Sequence, residues 1–211
     1  MNRATVSVLV LVLAAAAPAA AQLAGMPMWN SPKGGAGVTL SGDYGMPGDD
    51  AGGGTAFGAR ASLGFSKFTV GLAYASYEPD GASEATQSFG GTAAFRVIGG
   101  GLSPLNVNII GGGATTAELT GPVTFSQFGT YWAGAGVSVS LPFVEPYATL
   151  SNRWITPSGG SSESAFGWTL GANVTMGMFG LHLAYDSQDV AGTTVSSFGA
   201  GLHVTLGVPG L

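Results

Sequence analysis

Ser197-Phe198-Gly199-Ala200-Gly201-Leu202-His203-Val204-Thr205-Leu206-Gly207-Val208 is the stretch that decides the fold. Phe198, Ala200, Leu202, Val204, Leu206 and Val208 share one parity, and Ser197, Gly199, Gly201, His203, Thr205 and Gly207 share the other. Side chains alternate across a strand, so Ser196–Val208 reads as a strand with one apolar face and one small or polar face. A soluble sheet with a single buried face alternates too, so one such strand decides nothing by itself. The repetition of the pattern along the chain does.

Working back from that strand, the same alternation appears in Val38–Tyr44, Thr55–Phe65, Phe68–Tyr77, Ser88–Ile98, Gln127–Leu141, Glu145–Trp154, Ala165–Met176 and Phe179–Asp186. Leu105–Gly113 is the weakest of the set, because Ile109-Ile110 breaks the alternation and three glycines follow. Between them lie polar connections at 46–54, 78–87, 114–125, 155–164 and 188–194, and short ones at 66–67, 99–104, 142–144 and 177–178. Long and short connections therefore alternate, which makes successive strands antiparallel. About ten strands of ~10 residues suit a tilted crossing of a bilayer. The expected fold is all-β, a closed antiparallel transmembrane up-and-down barrel of about ten strands, with eight as the alternative.

Composition points the same way. Charged residues make up 8% of the chain and hydrophobic ones 45%, against about 25% charge in ordinary soluble domains. Met1–Ala21 reads as a secretory signal peptide, with Arg3, the apolar run Val6–Ala17 and Ala19-Ala20-Ala21 ahead of Gln22. Residues 22–37 show no periodicity and read as a periplasmic lead-in, followed by the barrel over 38–211. Cysteine is absent, which excludes disulfides and thiolate chemistry. A net charge of −5 with no basic stripe excludes nucleic acid as a partner.

Two patterns not used in placing the strands agree with the barrel. Tyr44, Phe57, Tyr74, Phe89, Tyr131, Trp154, Phe166, Trp168, Tyr185 and Phe198 fall on the apolar parity at the long-connection ends, as an interfacial girdle would. Phe65, Phe68 and Phe95 fall near the other ends. Asp49, Asp50, Glu78, Asp80, Glu84, Glu118, Glu163 and Asp189 occupy the long connections, while Asp43, Arg60, Arg96, Glu145, Arg153 and Asp186 take the inward parity. An Arg or Lys facing hydrocarbon at the bilayer midplane costs about 2–4 kcal/mol, so this segregation is what a barrel needs.

The mature sequence thus resembles the small bacterial outer-membrane β-barrel proteins, over essentially its whole length. Ser197, Gly199, Leu202 and Val204 match the C-terminal polar-x-Gly-x-x-apolar-x-apolar signal by which the barrel-assembly machinery takes up such proteins. Many members end on an aromatic residue, whereas this chain continues through Gly207-Val208-Pro209-Gly210-Leu211. The resemblance implies outer-membrane lipid and that machinery as partners, and the bacterial outer membrane as location.

The inward residues support little chemistry. The outer-membrane proteases of the omptin class use acidic pairs and an Asp-x-His element, and this chain has no Asp-x-His. His182 and Asp186 share a parity but stand roughly 13 Å apart along a strand, and no carboxylate is expected beside His203. The two histidines read as lumen filler, no catalytic residue is assigned, and no metal or other cofactor is expected. Asp49, Asp50 and Asp80 offer oxygen ligands for a loosely held Ca²⁺, with a solvated acidic exterior as the simpler account. Asp43, Arg60, Arg96, Glu145, Arg153, Asp186, His182 and His203 are the lumen groups to watch, amid the small lumen positions Gly58, Gly71, Gly90, Gly134, Gly136, Gly171, Gly199 and Gly201. The expected role is structural or a narrow passive channel. The alternatives are an adhesin or receptor acting through acidic loops, and a soluble exported lipocalin-like barrel with its apolar parity turned inward.

Overall fold

The computed structural model describes residues 23–100, 103–120 and 126–207. The signal peptide assigned to Met1–Ala21, the loop centre at Gly121-Pro122 and the terminal Val208 lie outside them. Ten strands form one closed antiparallel sheet, each paired with its chain neighbours and β1 with β10. They are β1 (Gly37–Pro47), β2 (Thr55–Phe65), β3 (Phe68–Glu78), β4 (Thr86–Gly100), β5 (Ser103–Thr116), β6 (Phe128–Val139), β7 (Val144–Pro157), β8 (Glu163–Met176), β9 (Phe179–Val190) and β10 (Thr193–Leu206). The closing ladder runs from Val38 opposite Leu206 to Pro47 opposite Ser197. Ten strands stand; the eight-strand alternative falls.

The apolar parity faces out. Leu72, Leu150 and Leu202 are 53%, 56% and 64% exposed, while the inward Arg153 and Asp186 are 0% and 1% exposed. A soluble lipocalin-like barrel needs the opposite arrangement, so that alternative is overturned by the orientation of every strand. Register lines the rings up across neighbouring strands. Tyr44 sits opposite Phe57, Tyr74 opposite Phe89, Tyr131 opposite Trp154 and Tyr185 opposite Phe198. At the other end Phe68 meets Phe65 and Phe95 at ring-centroid distances of 5.6 and 4.8 Å.

Leu105–Gly113, the weakest segment in sequence, is the middle of a full strand. Ile109 points out, 58% exposed, and Ile110 points in, where it is buried against Met28 and Trp132. The apparent break is an apolar residue on each face. The glycines that follow stay in the ladder opposite Ala133, Trp132 and Tyr131. A Cβ at Gly112 would run into the Gly91 carbonyl and crowd the Trp132 indole. At the end of β4 next to its short connection to β5, register shifts between Arg96 and Ile98 and again between Ile98 and Gly100. These bulges turn Val97 and Ile98 both outward.

Several strand ends reach further than alternation showed. β1 continues to Pro47, β7 through Ile155-Thr156-Pro157, and β9 through Gln188-Asp189-Val190. The expected loop at 188–194 is instead a two-residue hairpin, with Ala191 at φ 51° and Gly192 at φ 83°. Two consecutive positive φ values are the signature of the turn that matches strand twist. An Ile109→Arg substitution on the outer face is expected to destabilise the barrel by about 2–4 kcal/mol. Equilibrium urea unfolding in lipid vesicles reads this directly.

Candidate functional site

Residues 23–36, expected from the sequence as a periplasmic lead-in, pack against the inner face of the strands. The chain enters at the end of the barrel that carries the long connections, here the outer end, and runs down inside the lumen. At the bottom it turns back as β1. Leu23 and Met26 pack with Ala56, Ala75, Tyr77 and Ala114 in one buried apolar cluster. The Ala24 amide donates to Ser88 Oγ at 3.1 Å. Lower down, Met28 is buried with Ile110 and Trp132.

Asn30 is the clamp. Its Nδ2 donates to Asn108 Oδ1 at 3.2 Å and to Thr149 Oγ1 at 2.9 Å, and its Oδ1 accepts from Asn108 Nδ2 at 2.9 Å. Its carbonyl accepts from Asn173 Nδ2 at 3.1 Å. One turn further, Glu145 accepts from Ser31 Oγ at 2.8 Å, the Lys33 amide at 2.7 Å and Ser138 Oγ at 2.6 Å. The Lys33 carbonyl in turn accepts from Arg96, whose guanidinium also reaches the Ser66 carbonyl. A segment without ladder hydrogen bonds is thereby held by side chains from the surrounding strands.

Three of the small lumen positions make room for this segment. Met26 lies over Gly58, Pro27 and Trp29 over Gly199, and Asn30 and Pro32 over Gly136, where any Cβ would collide with them. At these positions what reads in sequence as spare lumen volume is the imprint of the plug, while Gly171 and Gly201 make room for Tyr147 and for His182 and Asp43. A ten-stranded barrel is only modestly wider than the eight-stranded kind that side chains fill, so one extended segment occupies much of its interior.

Two charged clusters flank the plug. Asp43 of β1 and His182 of β9 both lie opposite Gly201 of β10, and with no side chain there they meet across the intervening strand at 2.6 Å. Arg60 donates to both Asp43 oxygens, at 2.6 and 3.0 Å, and His182 Nδ1 lies 3.2 Å from His203 Nδ1. Trp29 sets its ring edge-to-face against His182 at 4.6 Å, with Arg60 5.0 Å from its centroid. Nearer the outer end, Arg153 makes a bidentate pair with Asp186 at 2.7 and 2.7 Å, and also reaches Ser151 and Gln188. Thr169 donates to the same carboxylate.

All eight lumen residues singled out in the sequence therefore face inward, but in groups that sequence did not show. The carboxylate beside the histidines is Asp43, from the far end of the chain, whereas Asp186 serves Arg153. The contact depends on barrel closure and on Gly201, neither of which a single strand displays. Among the described residues no three His, Cys, Asp or Glu side chains converge as a metal site. Of the proposed assembly signal, Leu202 lies on the outer face and Ser197 and Gly199 on the inner.

No protein-family model matches the chain, and no curated protein matches it. Among solved structures, the β domain of the Bordetella autotransporter BrkA is similar over 82% of this chain and 100% of its own, at 14% identity and a TM-score of 0.46. The N-terminal β-barrel domain of Pseudomonas aeruginosa OprF is similar over 82% and 99%, at 13% identity and a TM-score of 0.41. Ail, the attachment invasion locus protein of Yersinia pestis, is similar over 82% and 100%, at 12% identity and a TM-score of 0.34. The closed sheet, the apolar outer belt bounded by aromatic rows, and the inward charged and polar side chains make this chain a ten-stranded antiparallel β-barrel with the architecture of a barrel that crosses a membrane with its strands.

Proposed function

We propose that this protein is an exported integral outer-membrane barrel whose lumen is stoppered by its own N-terminal segment, and that its role is structural rather than that of an open passive channel. The observation that carries this reading is the path of residues 23–32 through the barrel, with Met26 and Met28 at 1% and 3% exposure and Asn30 bonded to three strands. A lumen occupied in that way favours a closed barrel over an ion path, and the ion pairs on either side of the segment leave few unpaired charges to draw an ion through. The belt of outward Leu, Val and aromatic side chains supports insertion in lipid, and the connection lengths support an outward-facing long-loop end.

A second reading, contact through the outer loops, is favoured by the exposed Asp49 and Asp50. They sit on a short 3₁₀ turn fixed from below by Tyr77, whose hydroxyl donates to the Ala51 and Gly53 carbonyls at 2.9 and 3.0 Å. A rigid acidic loop of this kind suits a basic partner or a divalent cation. The stopper reading is tested by single-channel recording of the folded, inserted protein in planar bilayers. The expected result is a silent membrane; discrete, reproducible conductance steps from the unaltered chain would overturn it.

A further inference from the structure

The six lysine and arginine residues of the chain divide sharply. Arg3 lies outside the described residues, and Arg60 and Arg153 are bound to Asp43 and Asp186 within the lumen. The other three, Lys33, Lys67 and Arg96, meet at the end of the barrel that carries the short connections. The Arg96 guanidinium donates to the Lys33 carbonyl and, at 3.2 Å, to the Ser66 carbonyl. The Arg96 amide donates to the Lys67 carbonyl at 2.8 Å, and Gly34, Lys67 and Arg96 line one shallow groove. Lys33 and Lys67 are exposed, and neither ammonium has a partner among the described residues. Glu145 is the one carboxylate among the described residues at this end. It is 7% exposed, and its oxygens already accept from Ser31, the Lys33 amide, Ser138 and Asn173. Directly outside the cluster, Phe68 and Phe95 follow Lys67 and precede Arg96 in the chain, and their exposed rings pack together on the outer face. The bulges at the end of β4 extend that apolar face with Val97 and Ile98.

We infer that this cluster is a binding site for an anionic phospholipid, its phosphate drawn by the Lys33 and Lys67 ammonium groups and its acyl chains laid on Phe68, Phe95 and Val97. Arg96 is a positioning residue, since it bonds the backbones on which both lysines are carried. An anion is favoured because three positive charges face one buried carboxylate whose oxygens are already bonded. A lipid is favoured over a soluble anion because apolar surface runs from the cluster straight into the hydrocarbon belt. A zwitterionic phospholipid gains less, its own cation offsetting its phosphate. Each Lys or Arg near a membrane surface is worth about fivefold in attraction to anionic lipid. The inference rests on a barrel that crosses the bilayer with this end at headgroup level.

Native mass spectrometry of the protein released from nanodiscs of phosphatidylglycerol and phosphatidylcholine in equal parts, with identical acyl chains, tests it. The expected result is preferential retention of phosphatidylglycerol. Lys33→Gln and Lys67→Gln should each weaken that preference about fivefold, and Lys33→Arg and Lys67→Arg should keep it. The pair Glu78→Gln/Glu84→Gln changes two exposed charges at the opposite end and should leave the preference as it is. Equal retention of the two lipids overturns the site, and so does a preference that survives Lys33→Gln/Lys67→Gln or that follows net charge in the glutamate variant. Inorganic phosphate added as a competitor should leave the lipid in place; displacement by phosphate alone would overturn the lipid assignment. Failure of the membrane reading is distinguishable, since the protein would then not be recovered with the nanodiscs at all.

Discussion

Replacing Arg153 by Met is expected to destabilise the barrel by about 3–5 kcal/mol, because the Asp186 carboxylate is left ionised in the lumen without its guanidinium. Both partners are almost wholly buried, and the pair is held at two points, so water does not readily take over. The packing argument alone predicts a smaller loss, since Met fills much of the volume that Arg occupied. The double variant Arg153→Met/Asp186→Leu separates the two causes. If the cost is electrostatic, the double change recovers most of the stability lost in the single one. Urea midpoints of the vesicle-inserted barrel measure both, and a double variant no better than the single would assign the loss to packing.

The second large effect concerns permeability. Deleting Leu23 to Lys33 removes the whole segment that runs through the lumen between the long-connection end and Glu145, including Met26, Met28, Trp29 and Asn30. The strands that remain present Gly58, Gly136 and Gly199 along the emptied path, together with Asn108, Thr149 and Asn173, all able to bond water. The expected outcome is a change from silence to discrete conductance steps in planar bilayers. A shorter alteration, Met26, Met28 and Trp29 all replaced by Ser, keeps the chain length while removing the apolar anchorage, and is expected to flicker between closed and open levels. Folding of each variant is checked by its β-sheet circular dichroism before recording. A folded deletion variant that stays silent would show that the strand side chains alone close the barrel.

These expectations depend unevenly on what the sequence displays. Strand parity was legible because lipid imposes it. Leu72, Leu150 and Leu202 had to face out and Arg153 and Asp186 in, whatever the loops did. Ladder extensions such as Ile155–Pro157 and Gln188–Val190 were not, since strand ends that rise beyond the hydrocarbon are wetted on both faces and lose the alternation that marks them. The last hairpin, turned at Ala191-Gly192, is hidden in the sequence for the same reason. Of the lumen, the identity of the inward charges was legible and their pairing was not. Asp43 and His182 are 139 residues apart and meet only because β1 closes on β10.

The plug had a signal that can now be named. An extended segment held by side chains has no periodicity of its own, so residues 23–36 look unstructured. Its trace lies in the strands around it, where Ile110, Trp132 and Tyr77 put apolar bulk on a face otherwise small or polar, and glycines recur where no turn requires them. An apolar residue on the lumen parity of a small barrel implies something inside to cover it, on the same grounds that a buried polar group implies a partner.

The most direct test of that account uses the absence of cysteine from the chain. Single-cysteine variants at Met28, 3% exposed, and at Lys33, which is exposed at the inner end, are compared in the folded, inserted protein by their rate of reaction with a water-soluble maleimide. The account predicts rapid labelling at position 33 and essentially none at position 28 until the barrel is unfolded. Equal, rapid labelling at both positions would place the segment in solvent outside the barrel and contradict it.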